Sequence, residues 1–178
     1  MSPRPAPDLD LRRAQISRAA RGIAERDGWD AVTMRRLAAE LGVTQPVIYS
    51  AFTGGRQAVI DAVALGGFEA IAVALEAAPA EPLDRMRAYL DFAAGQPRVY
   101  EAMFSMPSGL TFGTGAGPDA LRRAFAAIEA VFPGADGTEA EVAWATVHGL
   151  ATLEISGRLP ESRARARLDY ALRALTRP

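Results

Sequence analysis

Apolar positions along this chain recur at spacings of three and four, the period of a helix, and no stretch shows the period-two alternation of strands joined by hairpin turns. In the first segment Ile16, Ala19, Ala20, Ile23 and Ala24 share one face, which predicts a helix over Leu9–Asp27. Gly28 ends it, since glycine tolerates the left-handed conformation past a helix end. Trp29 and Val32 read as core residues leading to the next element. Thr33 is suited to N-cap a short helix that runs to about Leu41, and Gly42 makes the turn. Thr44 is placed to cap a third short helix ending near Phe52, with Pro46 in its first turn, where a missing N–H does no harm. Thr53-Gly54-Gly55 breaks the chain again before a long apolar helix over 56–77. Pro79 and Pro82 mark the next boundary. Further helices are expected at 83–95, 97–106, 118–132, 139–157 and 161–176, with a glycine-rich loop over 107–118. Residues 1–8 contain Pro3, Pro5 and Pro7 and read as a disordered arm.

Composition agrees with an all-helical chain. Of the 178 residues 49% are apolar, enough for a sizeable core; alanine dominates and β-branched residues are sparse. The long apolar region 58–80 is interrupted by Asp61, Glu69 and Glu76, whereas a bilayer span carries few or no charges over about 20 residues. It therefore reads as a buried helix of a soluble, cytoplasmic protein without a membrane partner, and the start of the chain shows no secretory pattern. Cysteine is absent, which excludes disulfides and thiolate metal sites. The formal net charge is −1, but the charges are unevenly spread. Residues 1–56 hold nine Arg against six acids, and the remainder eleven Arg against fifteen acids. All basic residues are Arg.

The basic end carries the motif with a chemical meaning. In the run from Thr33 to Tyr49, two short helices joined through one glycine make a helix-turn-helix. A small residue, Ala38, stands where the helices must cross, and Leu37, Leu41, Val43 and Ile48 are placed to pack the pair against the first helix. The outer face of the second helix is then free to enter a major groove. Thr44, Gln45, Pro46 and Val47 lie at its reading end. Gln45 could form a bidentate contact with adenine and Val47 could touch a thymine methyl. Tyr49, like Thr44, offers a hydroxyl to phosphates, and Arg35, Arg36 and Arg56 offer guanidinium groups. The same residues also fit a plain bundle: Arg35 and Arg36 as a solvated face, Tyr49 and Phe52 as core.

The stretch Ala31-Val32-Thr33-Met34-Arg35-Arg36-Leu37-Ala38-Ala39-Glu40-Leu41-Gly42-Val43, followed by Val47-Ile48-Tyr49-Ser50-Ala51-Phe52, resembles the tetracycline-repressor (TetR) family of bacterial regulators. Gly54-Gly55-Arg56 is similar to the subset with a two-glycine insertion before the basic residue that opens the fourth helix. Trp144, His148 and Gly149 match a Trp-x-x-x-His-Gly signature of one subgroup's C-terminal domain. The resemblance implies an all-α fold of about nine helices. Residues 9–55 would be the helix-turn-helix domain, and 56–178 a ligand-binding and dimerisation domain. It also implies a homodimer on a palindromic double-stranded DNA operator, released by a small-molecule effector. It adds Ser50 to the DNA-contacting set.

In the C-terminal half, Leu168, Leu172 and Leu175 fall on one stripe, and Val147, Ala151 and Ile155 share a face with Trp144 and His148. These six aliphatic residues are candidates for a dimer interface, with intramolecular core as the alternative. Tyr89, Phe92, Tyr100, Met103, Phe104, Phe125, Trp144 and His148 are candidates for an effector pocket or for a filled core. His148 is the only histidine and reads as a ligand or pH-sensing group, or as a structural hydrogen-bonding one. No nucleophile elbow, spaced carboxylate–histidine cluster or metal set is present. The glycines at 113, 115 and 117 lack the strand before and the Lys-Ser/Thr after that a phosphate loop needs. No enzymatic activity or cofactor is expected. The competing reading is a helical ligand-binding or scaffold protein that does not bind DNA.

Overall fold

The computed structural model describes residues 8–107 and 119–176. The proline-rich arm up to Pro7, most of the glycine-rich loop and its phosphate-loop-like run lie outside them. Nine α-helices and two 3-10 turns occur among the described residues, without a strand: α1 (Leu9–Asp27), α2 (Met34–Leu41), α3 (Gln45–Ala51), α4 (Gly55–Ala77), α5 (Pro82–Gly95), α6 (Pro97–Phe104), α7 (Asp119–Glu129), α8 (Thr138–Ile155) and α9 (Ala164–Leu175), with the turns at Trp29–Ala31 and Glu161–Arg163. The chain forms two compact units. One comprises residues 1–66 and 98–110, the other 67–97 and 111–178. This division differs from a boundary at 55/56, because the start of α4 and nearly all of α6 join the N-terminal unit.

The N-terminal unit is built on the stripe Ile16, Ala20, Ile23 and Ala24 of α1, all buried, with Val32, Leu37, Ala38, Ile48 and Ala51. Asp8 caps α1 through the N–H groups of Asp10 and Leu11. Arg13 of α1 donates from Nε to the carbonyl of Ala51 at 3.0 Å, which fastens the end of α3 to α1. Arg26 pairs with Glu40 at 3.1 Å and so ties α1 to α2. The unit also holds α6 by remote capping. The Glu25 carboxylate accepts the backbone N–H of Arg98 at 3.3 Å and of Val99 at 3.0 Å. The indole N–H of Trp29 donates to the Arg98 carbonyl at 2.9 Å. A helix begins with N–H groups that lack intrahelical acceptors, and α6, opened by Pro97, finds its acceptor on α1.

In the C-terminal unit α5 packs along α8, flanked by α7 and α9. The residues of α8 at this seam are Ala140, Ala143, Val147 and Ala151, spaced by three and four and all at most 2% exposed. Small side chains let the two helices approach closely. Met86, Tyr89, Phe92 and Ala93 answer from α5, Ala124 and Ile128 from α7, and Leu168 and Ala171 from α9. α4 is long and apolar enough to cross a membrane by length and composition, but half of its apolar window is buried within the protein, as befits a core helix.

Candidate nucleic-acid interface

The turn between α2 and α3 is set by local chemistry. Thr33 accepts the N–H of Arg36 on its hydroxyl at 3.1 Å and so starts α2. Gly42 stops it in the left-handed region, at φ 63°. The N–H of Val43 then reaches the Ala38 carbonyl at 2.9 Å and that of Gly42 the Ala39 carbonyl at 3.2 Å, a Schellman pair that satisfies the helix end. Ala38, 4% exposed, lies buried with Ile48 of α3; α2 and α3 pack directly on each other.

Thr44 stands at the N-cap position of α3, yet its side chain forms no capping bond. With Pro46 lacking an N–H, α3 presents side chains more than backbone donors at this end. Thr44, Gln45 and Pro46 are exposed, Val47 is half-buried, and Tyr49 and Ser50 are exposed. Tyr49 is 47% exposed, so it is a surface residue; Phe52, 6% exposed, is core. Ser50 turns its hydroxyl back to the Val47 carbonyl at 2.9 Å. Arg35 is exposed at the start of α2, and Arg36 is ion-paired with Asp27.

Arg56 departs from its expected part as a phosphate ligand. Its guanidinium turns inward, donating from Nε to the Val32 carbonyl at 2.9 Å and from Nη2 to the Trp29 carbonyl at 2.7 Å. It closes off the 3-10 turn between α1 and α2 and moors the start of α4, where Gly55 at φ 64° makes the entry.

The eight candidate pocket residues divide between the two units. Tyr100, Met103 and Phe104 belong to the N-terminal unit, where Tyr100 and Phe104 stack with centroids 4.8 Å apart. In the C-terminal unit Tyr89, Trp144 and His148 form a polar chain within the helices. The Trp144 indole donates to the Tyr89 hydroxyl at 3.2 Å, and that hydroxyl lies 3.5 Å from His148 Nδ1. Burial lowers the His148 pKa. Phe125 meets Trp144 edge-on at 6.0 Å, and Phe92 is core. Two further features escaped the sequence reading. Arg123 grips Glu69 at 2.6 Å and Glu76 at 2.8 and 2.6 Å, and these hydrogen bonds are the main reason the Glu76 carboxyl is held below its usual range. Arg85 is buried, and its Nε and Nη1 have no hydrogen-bond partner. The spacing Arg85, Tyr89, Phe92, Ala93 was the available signal, since it sets an arginine on the apolar stripe of α5.

The dimer candidates also divide. Val147 and Ala151, each 2% exposed, and Leu168, 8% exposed, are spent on the chain's own core and have little surface left for a second copy. Leu172 and Leu175 are half-buried and Ile155 is exposed. The outward stripe of α8 is instead Val142, Thr146, Gly149 and Leu153, with Val142 50% and Leu153 37% exposed.

Two short helices joined through a left-handed glycine, the first capped by Thr33 and the second with a bare outer face, define a helix-turn-helix protein whose reading helix suits a DNA major groove. Residues 16–63 match the family description "Bacterial regulatory proteins, tetR family", and residues 83–175 match "Tetracyclin repressor-like, C-terminal domain". The chain belongs to the TetR family and is a DNA-binding transcriptional regulator. Among solved structures, the regulatory protein SCO4313 superposes with a TM-score of 0.76 at 20% identity, over 97% of this chain and 100% of the other. A protein of unknown function from Rhodococcus sp. RHA1 gives 0.67 at 28% identity, over 99% and 100%. A tetR-family regulatory protein from Rhodococcus RHA1 gives 0.62 at 18% identity, over 92% and 96%. None of the curated proteins matches the sequence.

Proposed function

We propose that the protein is a cytoplasmic repressor that binds a palindromic operator as a homodimer and leaves it when a small molecule occupies the C-terminal unit. The observation that carries the reading is the exposed first turn of α3, with Gln45 free at the reading end while Ile48 and Ala51 anchor the helix from behind. Gln45 reads adenine, Val47 meets a thymine methyl, and Thr44, Tyr49 and Arg35 engage phosphates. Arg36 joins them on releasing Asp27, and Pro46 and Ser50 lie on the same groove-facing end. Two copies meet along the stripe Val142, Thr146, Gly149 and Leu153 of α8, with α9 beside it. Paired reading helices must then sit about 34–36 Å apart to fit successive half-sites.

Selection of bound sites from a random DNA pool tests this reading. A palindrome is expected, bound saturably and more weakly as salt rises. Gln45→Ala is expected to change the preferred base at one position per half-site, by roughly 5- to 150-fold. Arg35→Ala should weaken binding to all sequences alike and reduce the salt slope by about 1. A pool that yields only non-palindromic sites, or no salt-dependent complex, would overturn it.

A further inference from the structure

Arg85 lies in the second turn of α5 and is 8% exposed. Neither its Nε nor its Nη1 finds an acceptor. Charged side chains that are this deeply buried are ordinarily paired and hydrogen-bonded, because leaving water unpaired is costly. The acids of the C-terminal unit that make ion pairs are committed elsewhere: Glu69 and Glu76 to Arg123, Asp84 to Arg87, Asp119 to Arg122, and Glu154 to Arg167. Arg85 makes no hydrogen bond to Glu76, although its charge helps to lower the pKa of that carboxyl. Arg85 itself lines a cavity of about 10 Å³, together with Met86, Tyr89, Ile128, Phe132, Ala143 and Val147. That is room for about one water. The walls are apolar apart from Tyr89, one turn along α5, whose hydroxyl is already engaged with Trp144 and His148.

We infer that Arg85 is the anchor of the effector site and that the effector is a small carboxylic acid with an apolar body. The inference rests on the proposal that the C-terminal unit senses a small molecule. A carboxylate supplies the negative charge and acceptor oxygens that the guanidinium lacks, and charge-assisted bonds of this kind are among the strongest available to a protein. The hydrocarbon part enters between Met86, Ile128 and Val147. It enlarges the cavity by rearranging Met86, an unbranched side chain that repacks readily, above the small Ala143. The site opens as it is filled, so the ligand shifts the unit toward an expanded conformation.

The test is a thermal-shift titration of the full chain with straight-chain carboxylates from acetate to octanoate, with benzoate, and with the matching primary amides. Wild type, Arg85→Met and Arg85→Lys are compared. For wild type, acids of one size range are expected to raise the melting temperature saturably, and their amides not. Arg85→Met should be at least as stable as wild type without ligand, since a buried guanidinium with two unbonded nitrogens is removed, and should lose the acid response at least tenfold. Arg85→Lys, which keeps the charge without the fork, should fall between. Should Arg85→Met fail to fold, the acid–amide difference in wild type and the Arg85→Lys response decide the matter. Equal stabilisation by acids and amides, no response to any acid, or an undiminished response in the Arg85 variants overturns the inference. Gel shifts with the selected operator separate the two readings. A protein that binds DNA but ignores acids refutes this effector class alone, whereas one that binds acids but no DNA refutes the regulator reading and leaves the anion site standing.

Discussion

The carboxylate of Glu25 accepts the backbone N–H of Val99 at 3.0 Å across 74 positions of sequence. It also takes the N–H of Arg98, so one α1 side chain caps the first turn of α6. With the Trp29 indole on the Arg98 carbonyl, this contact is a reason α6 belongs to the N-terminal unit. Removing an N-terminal cap costs about 1 kcal/mol, and the part-buried Val99 N–H left without an acceptor adds to that. Glu25→Ala should therefore lower the stability of the chain by about 1–2 kcal/mol in urea unfolding. Amide exchange should quicken at Arg98 and Val99. Glu25→Gln keeps an acceptor oxygen and should lose less than half as much. Unchanged exchange at these two amides would show that α6 is held by other contacts.

Arg56 yields a prediction of a different kind. Its bonds to the Val32 and Trp29 carbonyls are charge-assisted, and Arg56→Ala leaves two carbonyls short of a donor. The expected loss is about 2–3 kcal/mol of stability. The salt slope of operator binding should be nearly the same as for wild type once the variant is kept folded by low temperature. Arg35→Ala should show the reverse, a nearly wild-type melting temperature and a smaller slope. A stable Arg56→Ala protein with a reduced slope would return Arg56 to the DNA interface.

These two residues mark the limit of what the sequence could show. Thr33, Gly42 and the α2–α3 spacing were legible because caps and turns are decided by neighbours within a few positions. The stripe of α1 was legible because its period repeats. Glu25 and Arg56 act on carbonyls and N–H groups 24 to 74 positions away, and nothing local distinguishes them from solvated charges. The faces of α8 failed for a related reason. Periodicity places Val147 and Ala151 opposite Gly149 and Leu153, but only the packing of α5 decides which face is consumed within the chain. The aromatic set split because composition identifies candidate walls without saying which unit each helix joins. For Arg85 the pattern was present, an arginine in register with Tyr89 and Phe92, though it took burial to give it meaning.

His148 gives a pH dependence with a definite sign. Burial lowers its pKa from the ordinary 6.5, so the folded chain favours the neutral ring more than the unfolded chain does. The unfolded state therefore binds more protons as pH falls through the range near 6.5, and stability is lost there. Urea midpoints should decline between pH 7 and pH 5 in wild type and stay flatter in His148→Gln. Glu76, held low chiefly by its hydrogen bonds to Arg123, adds stability that is present above the ordinary carboxylate pKa of 4.5 and is lost as pH falls through and below it, so the two effects occupy different windows. A rise in stability on acidification from pH 7, or an equal slope in His148→Gln, would contradict this assignment.

The last prediction concerns the outer face of α8. Val142, Thr146, Gly149 and Leu153 follow one another at spacings of four, three and four, so they form a straight seam. Thr146 bonds its hydroxyl to the Val142 carbonyl at 2.8 Å, so that hydroxyl is satisfied within its own helix. A Cβ added at Gly149 would meet nothing within 4 Å among the described residues beyond its chain neighbours and its own helix backbone. A glycine in the middle of a helix costs about 1 kcal/mol relative to alanine, and no contact among the described residues requires it here. Close approach of a second helix does require it, as small residues at a helix crossing permit. Gly149→Ala should raise monomer helicity and leave the dimer weakened, while Gly149→Arg and Leu153→Glu should halve the mass in sedimentation. Neither of the latter two should alter the far-ultraviolet helix signal, because both positions face away from the core. Affinity for a palindromic operator should fall at least tenfold in these two variants, with half-site affinity retained. A dimeric mass in Gly149→Arg would place the subunit contact on another surface.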